Sequence, residues 1–589
     1  MKATISFYQE LAQQKRDEVL RLKKEIRKIR LIRLFLFIAV AGGAYLLWKH
    51  WPFFIATIVG GIALFLWAVS RTVDLKLQLE KDQMQINFCE EELQCMLERR
   101  TSFDQGAEFI NSLHPYSSDL DLFAPNGIFN FFNRSTSQQG KSILATLLLK
   151  GSEHPEKNKE RVELFSHEME WTQRFRIAAS IASRSEAYDR RLTDFCRIRP
   201  DNPAFTSLLR WFIPVIGIGG IILLSLNLIS STLFMVIMFL NFGLVGMDLK
   251  RTNLQSSILG RFEHRFKSAF EQTQLVSELN AKHKHALFDQ QQLANAEKGL
   301  HELIRLHQRF EFRMNFLISI PLNLLVGWDY WQRIALERWI DQYGEATKNW
   351  EILLEENEAF ISAACIRYNF REESCYAKFA SSDSTEFHFL EMKHPLLSQE
   401  ISVPNNLDFG NQDHFMILTG PNMAGKSTYL RSIGINIMLA NCGFPVFAHS
   451  FTLPKVRLYT SMRASDDITQ SSSYFHAELS RLSALKESAG QGDLLFVLLD
   501  EILRGTNSKD KAEGSQKFLV KLRELPIKGV IATHDLSLCG LEDSETGFTC
   551  YYFDSTIKGD ELSFDYQIRP GICQNMNASF LLKQMNLID

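Results

Sequence analysis

The chain carries no excess of positive charge. Its 65 Lys and Arg against 68 Asp and Glu leave a formal net charge of −3, so composition gives no support for nucleic-acid binding. Its nine cysteines include no Cys-x-x-Cys pair; no metal cluster is visible, and the spacing fits a reducing compartment. No internal repeat or low-complexity tract stands out. Charge of either sign is missing from two regions. Leu34–Trp48 and Trp51–Ser70 are charge-free and parted only by Lys49 and His50, and Trp211–Met247 holds no charged residue across 37 positions.

These gaps point to a membrane. A helix needs roughly 20 apolar residues to cross about 30 Å of hydrocarbon. Leu34–Trp48 is short for that and Trp51–Ser70 is adequate, so the pair reads as a tight helical hairpin anchored by Trp48, Trp51 and Trp67. A signal peptide is the other reading of the first run. The long charged helix before it and the lack of a small-residue cleavage site count against that. Trp211–Met247 is too long for one helix and suits two, broken near Asn227–Ser231; a buried core pair is the alternative. Lys15 to Arg33 is dense in Lys and Arg, and Arg71, Lys76, Arg210, Lys250 and Arg251 flank the other ends. The positive-inside rule then keeps everything outside the two hairpins in the cytoplasm.

The segment Gly420-Pro421-Asn422-Met423-Ala424-Gly425-Lys426-Ser427-Thr428 follows the apolar run Phe415–Leu418 and precedes a helical pattern from Tyr429 to Leu439. Strand, glycine loop, helix is the context that the G-x-x-x-x-G-K-[ST] motif needs. Its backbone N–H groups and the helix N-terminus cradle phosphates. Lys426 is expected to reach the β- and γ-phosphates of ATP, and the Ser427 hydroxyl to ligate Mg2+. A second run, Leu494–Leu499, reads as a strand buried on both faces and ends in Asp500-Glu501. Asp500 is expected in the Mg2+ shell, with Glu501 orienting or deprotonating the attacking water. A third strand, Gly529–Thr533, delivers His534 to the same edge, near the γ-phosphate. Between the loop and Asp500, the Ser-rich stretch from Ala464 to Ser473 leads into a capped amphipathic helix through Phe475, Leu479 and Leu482.

Taken in order, GPNMAGKSTYLR, ASDDITQSSSYFHAEL, LLDEILRGTNSKD and IATHD resemble the MutS family of ATPases, which belongs to the ABC class. HPLL (His394–Leu397) and the terminal RPGICQNMNASFLLKQM extend the resemblance. Asp119–Leu149 is similar to the start of the MutS core, or lever. The resemblance implies a homodimer joined through its ATPase domains, with Ser473 reaching the partner's γ-phosphate, and DNA, mismatched or branched, as a further partner. Ala424 and Leu503 stand where the family usually has glycine. Tyr474 and His476 replace a Thr and a Met. The family's mismatch-reading N-terminal module finds no counterpart: Phe88-Cys89-Glu90 has its F-x-E spelling but lies in a charged helical stretch.

The expected fold is an α/β P-loop (ABC-class) ATPase domain with a doubly wound sheet, preceded by an all-α lever region carrying transmembrane hairpins. Residues 1–99 hold the first hairpin, 100–204 the first lever part, 205–249 the second hairpin, 250–390 the second lever part and 391–589 the ATPase. Residues 250–312 and 330–362 favour long helices, whose tryptophans suit core packing. The function expected is that of a membrane-anchored ATP hydrolase that closes a dimer on ATP and binds DNA. Two alternatives are a mechanical or scaffolding ATPase without DNA, and an ABC half-transporter. The latter would need about six spans and an LSGGQ-type signature.

Overall fold

The computed structural model describes the chain apart from Met1 and residues 183–190, 197–202, 248, 284–287, 382–383, 463–473, 491, 504–507, 559–560 and 574–589. It is mostly helical, with an α/β region at the C-terminal end. Two compact units are present, one made of residues 1–133, 145–167 and 363–589, the other of 134–144 and 168–362.

The first unit begins with two long antiparallel helices, α1 (Lys2–Leu47) and α2 (Trp51–Glu98). Pro52 sits in the first turn of α2, where its missing N–H costs nothing. The two ends of this pair are built oppositely. At the base, Tyr8, Ala12, Val19 and Ile26 of α1 are buried, as are Leu75, Ile86, Cys89 and Met96 of α2. Two ion pairs cross between the helices there: Lys15 with buried Asp82, and exposed Arg16 with exposed Glu90. At the tip the apolar groups point outward, Phe35 at 70%, Trp51 at 67% and Trp67 at 65% exposure. The helices approach closely there because Gly61 has no side chain; a Cβ would fall 2.3 Å from Val40.

Short helices α3 (Ile128–Phe132), α4 (Gln138–Lys150) and α5 (Pro155–His167) follow. The second unit is helical throughout: α6 (Met169–Ala182), α7 (Leu192–Cys196), α8 (Pro203–Ser225), α9 (Ser231–Met247), α10 (Leu249–Lys282), α11 (Gln290–Glu311), α12 (Phe316–Val326), α13 (Trp328–Tyr343) and the start of α14 (Ala346–Asn369). Its core is aromatic, and two of its indole N–H groups find carbonyls: Trp171 donates to Leu275 O at 2.7 Å and Trp339 to Gly299 O at 2.7 Å. Trp350 packs closely on Gly299, where a Cβ would meet its ring at 2.5 Å. The turn from α8 to α9 passes through Asn227 in the left-handed region. Among the described residues three helices are long and apolar enough to cross a membrane, or four if the bent pair α9–α10 counts as one.

The C-terminal part of the first unit holds two sheets. Strands β1 (Lys378–Phe379), β2 (Phe387–Met392), β3 (Asn405–Phe409) and, later, β5 (Ser450–Leu453) form one, in the order β1-β5-β2-β3. The other contains β4 (Phe415–Thr419), β6 (Arg457–Ser461), β7 (Leu495–Asp500), β8 (Ile527–Ala532), β9 (Phe548–Lys558) and β10 (Glu561–Pro570), in the order β10-β9-β4-β8-β7-β6. All its pairs are parallel except β9–β10. β4 and β8 are buried along their whole length, as strands covered on both faces should be; β8 includes Lys528, whose ammonium donates to Gly410 O. Crossovers run through α15 (Lys426–Cys442), α16 (Tyr474–Ala489) and α17 (Ser508–Arg523), with the short α18 (Leu541–Ser544) before β9. Phe387 and Phe409 of the small sheet pack on Phe496 of the large one, ring centroids 4.8 and 6.0 Å away, which joins the sheets.

Candidate active site

The parallel order brings the carboxyl ends of β4, β7 and β8 side by side, where ligands bind in open α/β sheets. The loop from β4 into α15 turns through left-handed backbone at Gly420 (φ 141°), Met423 (φ 67°) and Gly425 (φ 103°). Gly420 is required on a second count: a Cβ would lie 2.7 Å from Phe553 O. Ala424 is not among the positive-φ positions, so a methyl group there brings no backbone strain, and it is buried.

Lys426 opens α15 with its ammonium folded into the loop, donating to Gly420 O at 2.7 Å and Pro421 O at 2.9 Å. It lies 3.3 Å from His534 Nε2, and the same nitrogen is 3.2 Å from Glu501 Oε1. Burial lowers the Lys426 pKa. Burial, then the Lys426 charge, lowers that of His534, which favours the neutral imidazole. Ser427 Oγ donates to Asp500 Oδ2 at 2.7 Å. This hydroxyl and carboxylate are oxygen donors of the kind a hard divalent cation prefers. Pro421, Asn422, Met423, Gly425, Lys426, Ser427, Thr428, Asp500, Glu501 and His534 all line one cavity of about 680 Å³. Gly420 and Ala424 lie behind them in the loop and do not line it. His394, Val403, Phe553 and Tyr566 line other parts of the same cavity. Desolvation holds the His394 pKa down at about 4.

After β7 the backbone is strained. Glu501 (φ 53°) and Leu503 (φ 60°) are both left-handed without being glycine, a conformation that costs an L-residue of the order of 1 kcal/mol. The Leu503 amide donates to Glu478 Oε1, tying the strand end to α16. Ser473 and the stretch 463–473 lie outside the described residues, as do 504–507 and 574–589.

Sequence reading missed Asp119. Its carboxylate, fully buried, accepts from Thr460 Oγ1 (2.6 Å), the Met462 amide (3.1 Å) and Arg481 (2.7 Å), and its carbonyl accepts from Arg431. One side chain thus gathers the end of β6 and helix α16, while its own backbone meets α15. The acidic, apolar spelling of Asp119–Phe123 is the only signal in the chain, and it names no partner.

The MutS domain V family matches residues 416–585. The C-terminal third of the chain is similar to MutS proteins. It is 34% identical over 186 residues to the DNA mismatch repair protein MutS of Caldanaerobacter subterraneus subsp. tengcongensis, covering 31% of this chain and 21% of that one. Against the protein of the same name from Chlorobium chlorochromatii it is 35% identical over 185 residues, 30% and 21% of the two chains. Against that of Fervidobacterium nodosum it is 32% identical over 203 residues, 33% and 24%. The chain therefore covers between a fifth and a quarter of the length of these MutS relatives. The loop, Asp500, Glu501 and His534 all fall inside the matched stretch.

Outside that stretch, Glu263, His307 and Glu311 bring one ligand atom each within 4.8 Å of one another. Glu263 is already paired with Lys267. This grouping of α10 with α11 could not be read from sequence spacing.

Proposed function

We propose that this chain is a membrane-anchored MutS-type ATPase that hydrolyses ATP at the β4–β7–β8 edge and closes a dimer as it does so. The observation that carries the reading is the convergence of Lys426, Ser427, Asp500, Glu501 and His534 on one cavity. Lys426 leaves its loop carbonyls for the β- and γ-phosphates, exchanging neutral acceptors for charged ones. Glu501 takes the proton of, or orients, the attacking water, and neutral His534 holds that carboxylate in place through its 3.2 Å contact. Ser427 and Asp500 hold Mg2+, which when bound neutralises charge on the phosphates. Ser473 of one subunit completes the other's site. The small sheet and large sheet together make the doubly wound P-loop domain, with helical levers ahead of it in the domain order 1–99, 100–204, 205–249, 250–390 and 391–589.

The outward apolar surface of the α1–α2 tip and of α8 and α9 supports anchoring. Phe35, Trp67, Val215 and Phe239 are each at least 65% exposed, and water is a poor solvent for a surface that large. The protein is then a multi-pass protein of the cytoplasmic membrane with its ATPase in the cytoplasm. DNA, the partner implied by the relatives' name, is proposed as this chain's partner too.

Purified full chain in detergent tests the chemistry. Lys426→Ala should lose nucleotide binding. Glu501→Gln should keep binding and hydrolyse at least about 100-fold more slowly; hydrolysis at the wild-type rate removes Glu501 from the mechanism. DNA affinity should fall steeply with salt as counterions are released. No binding at about 50 mM salt removes DNA and leaves the mechanical ATPase.

A further inference from the structure

Between Arg313 and Asp329 the chain has fifteen residues, 314–328, without a charge. They hold α12, whose 11 residues reach about 16 Å, half of a bilayer core of about 30 Å. The segment cannot span, yet it is as apolar as the spans beside it. Its two flanking charges meet: Arg313 Nε lies 2.9 Å from Asp329 Oδ2, both side chains under 10% exposed. The excursion leaves the end of α11 and returns to the start of α13 through one closed neck, which the Trp328 indole seals by donating to Arg309 O at 3.2 Å.

Beyond the neck, α12 docks backbone to backbone. A Cβ on Gly217 of α8 would lie 2.5 Å from Leu324 O and 2.9 Å from Leu325 Cα. Leu324 sits in the last turn of α12, where no helix N–H reaches its carbonyl. Asn241 of α9, fully buried, supplies the donor at 2.7 Å and also reaches Ile213 O at 3.4 Å. Such a cap matters most where no water can replace it. The other faces of α8 and α9 carry Val215, Met235 and Phe239, all more than 65% exposed. At the neck end the Arg210 guanidinium lies 5.5 and 5.4 Å from the rings of Trp211 and Trp331, the cation-and-indole pairing found at the edge of a bilayer.

We propose that α12 is a half-membrane element, embedded in the hydrocarbon of one leaflet against α8 and α9, with the Arg313–Asp329 neck at the headgroup level. Its occupant is lipid acyl chain. The inference rests on the membrane reading above and adds to it that α11 and α13 are fastened to the bilayer where they meet. Movement of either helix would then be resisted, or driven, at the neck.

The test is photo-crosslinking of the full chain reconstituted in phosphatidylcholine–phosphatidylglycerol vesicles. p-Benzoylphenylalanine is placed singly at Leu322 or Ile320 of α12, at Met235 of α9 and at Gln291 of α11, and lipid adducts are read by mass spectrometry. Leu322 and Ile320 should form adducts at a yield comparable to Met235, with none at Gln291. Adducts at Met235 with none at either α12 position overturn the half-membrane element while anchoring stands. No adduct at Met235 overturns anchoring itself, and this proposal with it. Asn241→Leu should lower the yield at Leu322 without changing that at Met235; equal loss at both, or no loss, removes the cap from the account.

Discussion

The strand β7 and the helix tips are alike in composition and opposite in burial. Leu495 to Leu499 are each 1% exposed or less, whereas Leu64, Leu66 and Trp67 of α2 are 55–65% exposed. Both are charge-free runs. The strand is short enough to be covered by α15, α16, α17 and two neighbouring strands. The helix tip is too long and too isolated to be covered by anything in its own unit except α1. A charge-free run covered by protein is thus a strand core here, and on the proposed membrane reading the longer, uncovered run is the one that lipid covers.

A charge placed in each run breaks or sharpens that contrast most strongly. Leu498→Asp should abolish folding of the α/β region, because an unpaired carboxylate in a dry core costs more than the about 5–15 kcal/mol that holds a protein together. Leu64→Asp should leave the detergent-solubilised fold intact and weaken membrane insertion by about 3 kcal/mol. Equal damage in detergent would mean that the tip is covered by protein. Circular dichroism with membrane fractionation reads both.

Next in size is the buried anchor. Asp119→Ala removes the shared acceptor of Arg481, Thr460 and the Met462 amide, and should cost about 3 kcal/mol in the stability of the α/β region, read by denaturant unfolding. A loss below about 0.5 kcal/mol, the scale of an ordinary surface change, would show that α16 does not depend on it.

A third effect separates the regions by pH. The His394 pKa is held near 4, against an ordinary 6.5. The folded state prefers the neutral ring, so this contribution is complete above pH 6.5 and declines as pH falls towards 4. The α/β region should soften over that window, and His394→Gln should flatten the dependence; an unchanged slope of melting temperature against pH in the variant would contradict it. The smallest effect concerns Leu503. Both Leu503→Ala and Leu503→Gly lose apolar burial, but only glycine is at ease at φ 60°. The glycine variant should be the more stable of the two by about 1 kcal/mol, measured by thermal unfolding.

The strand–loop–helix turn from β4 into α15 was legible because its residues are consecutive, with an apolar run before them and a helical pattern after. Asp500, Glu501 and His534 were legible because each ends an apolar run, and parallel strands deliver their carboxyl ends to one edge. Asp119 was not, since Thr460 and Arg481 stand 341 and 362 residues away and a single Asp has no periodicity to reveal a partner. Nor was α12, because 11 charge-free residues fall below the length of a membrane-crossing helix. The apolar tip of α1 and α2 was visible in sequence. The charged helical stretches before and after it were read as well, but that each joins the tip in one unbroken helix of 46 or 48 residues was not, because their seam is narrow and its spacing is diluted by charge.

Anchoring and hydrolysis in one molecule are tested together by flotation. Full chain is reconstituted into vesicles, freed of detergent and floated through a density gradient, and ATP hydrolysis is measured in every fraction for the wild type and for Glu501→Gln. The account predicts wild-type activity that rises with the lipid, and Glu501→Gln protein in the same fractions without that activity. Hydrolysis left behind with soluble protein, or floating undiminished in Glu501→Gln, would contradict it.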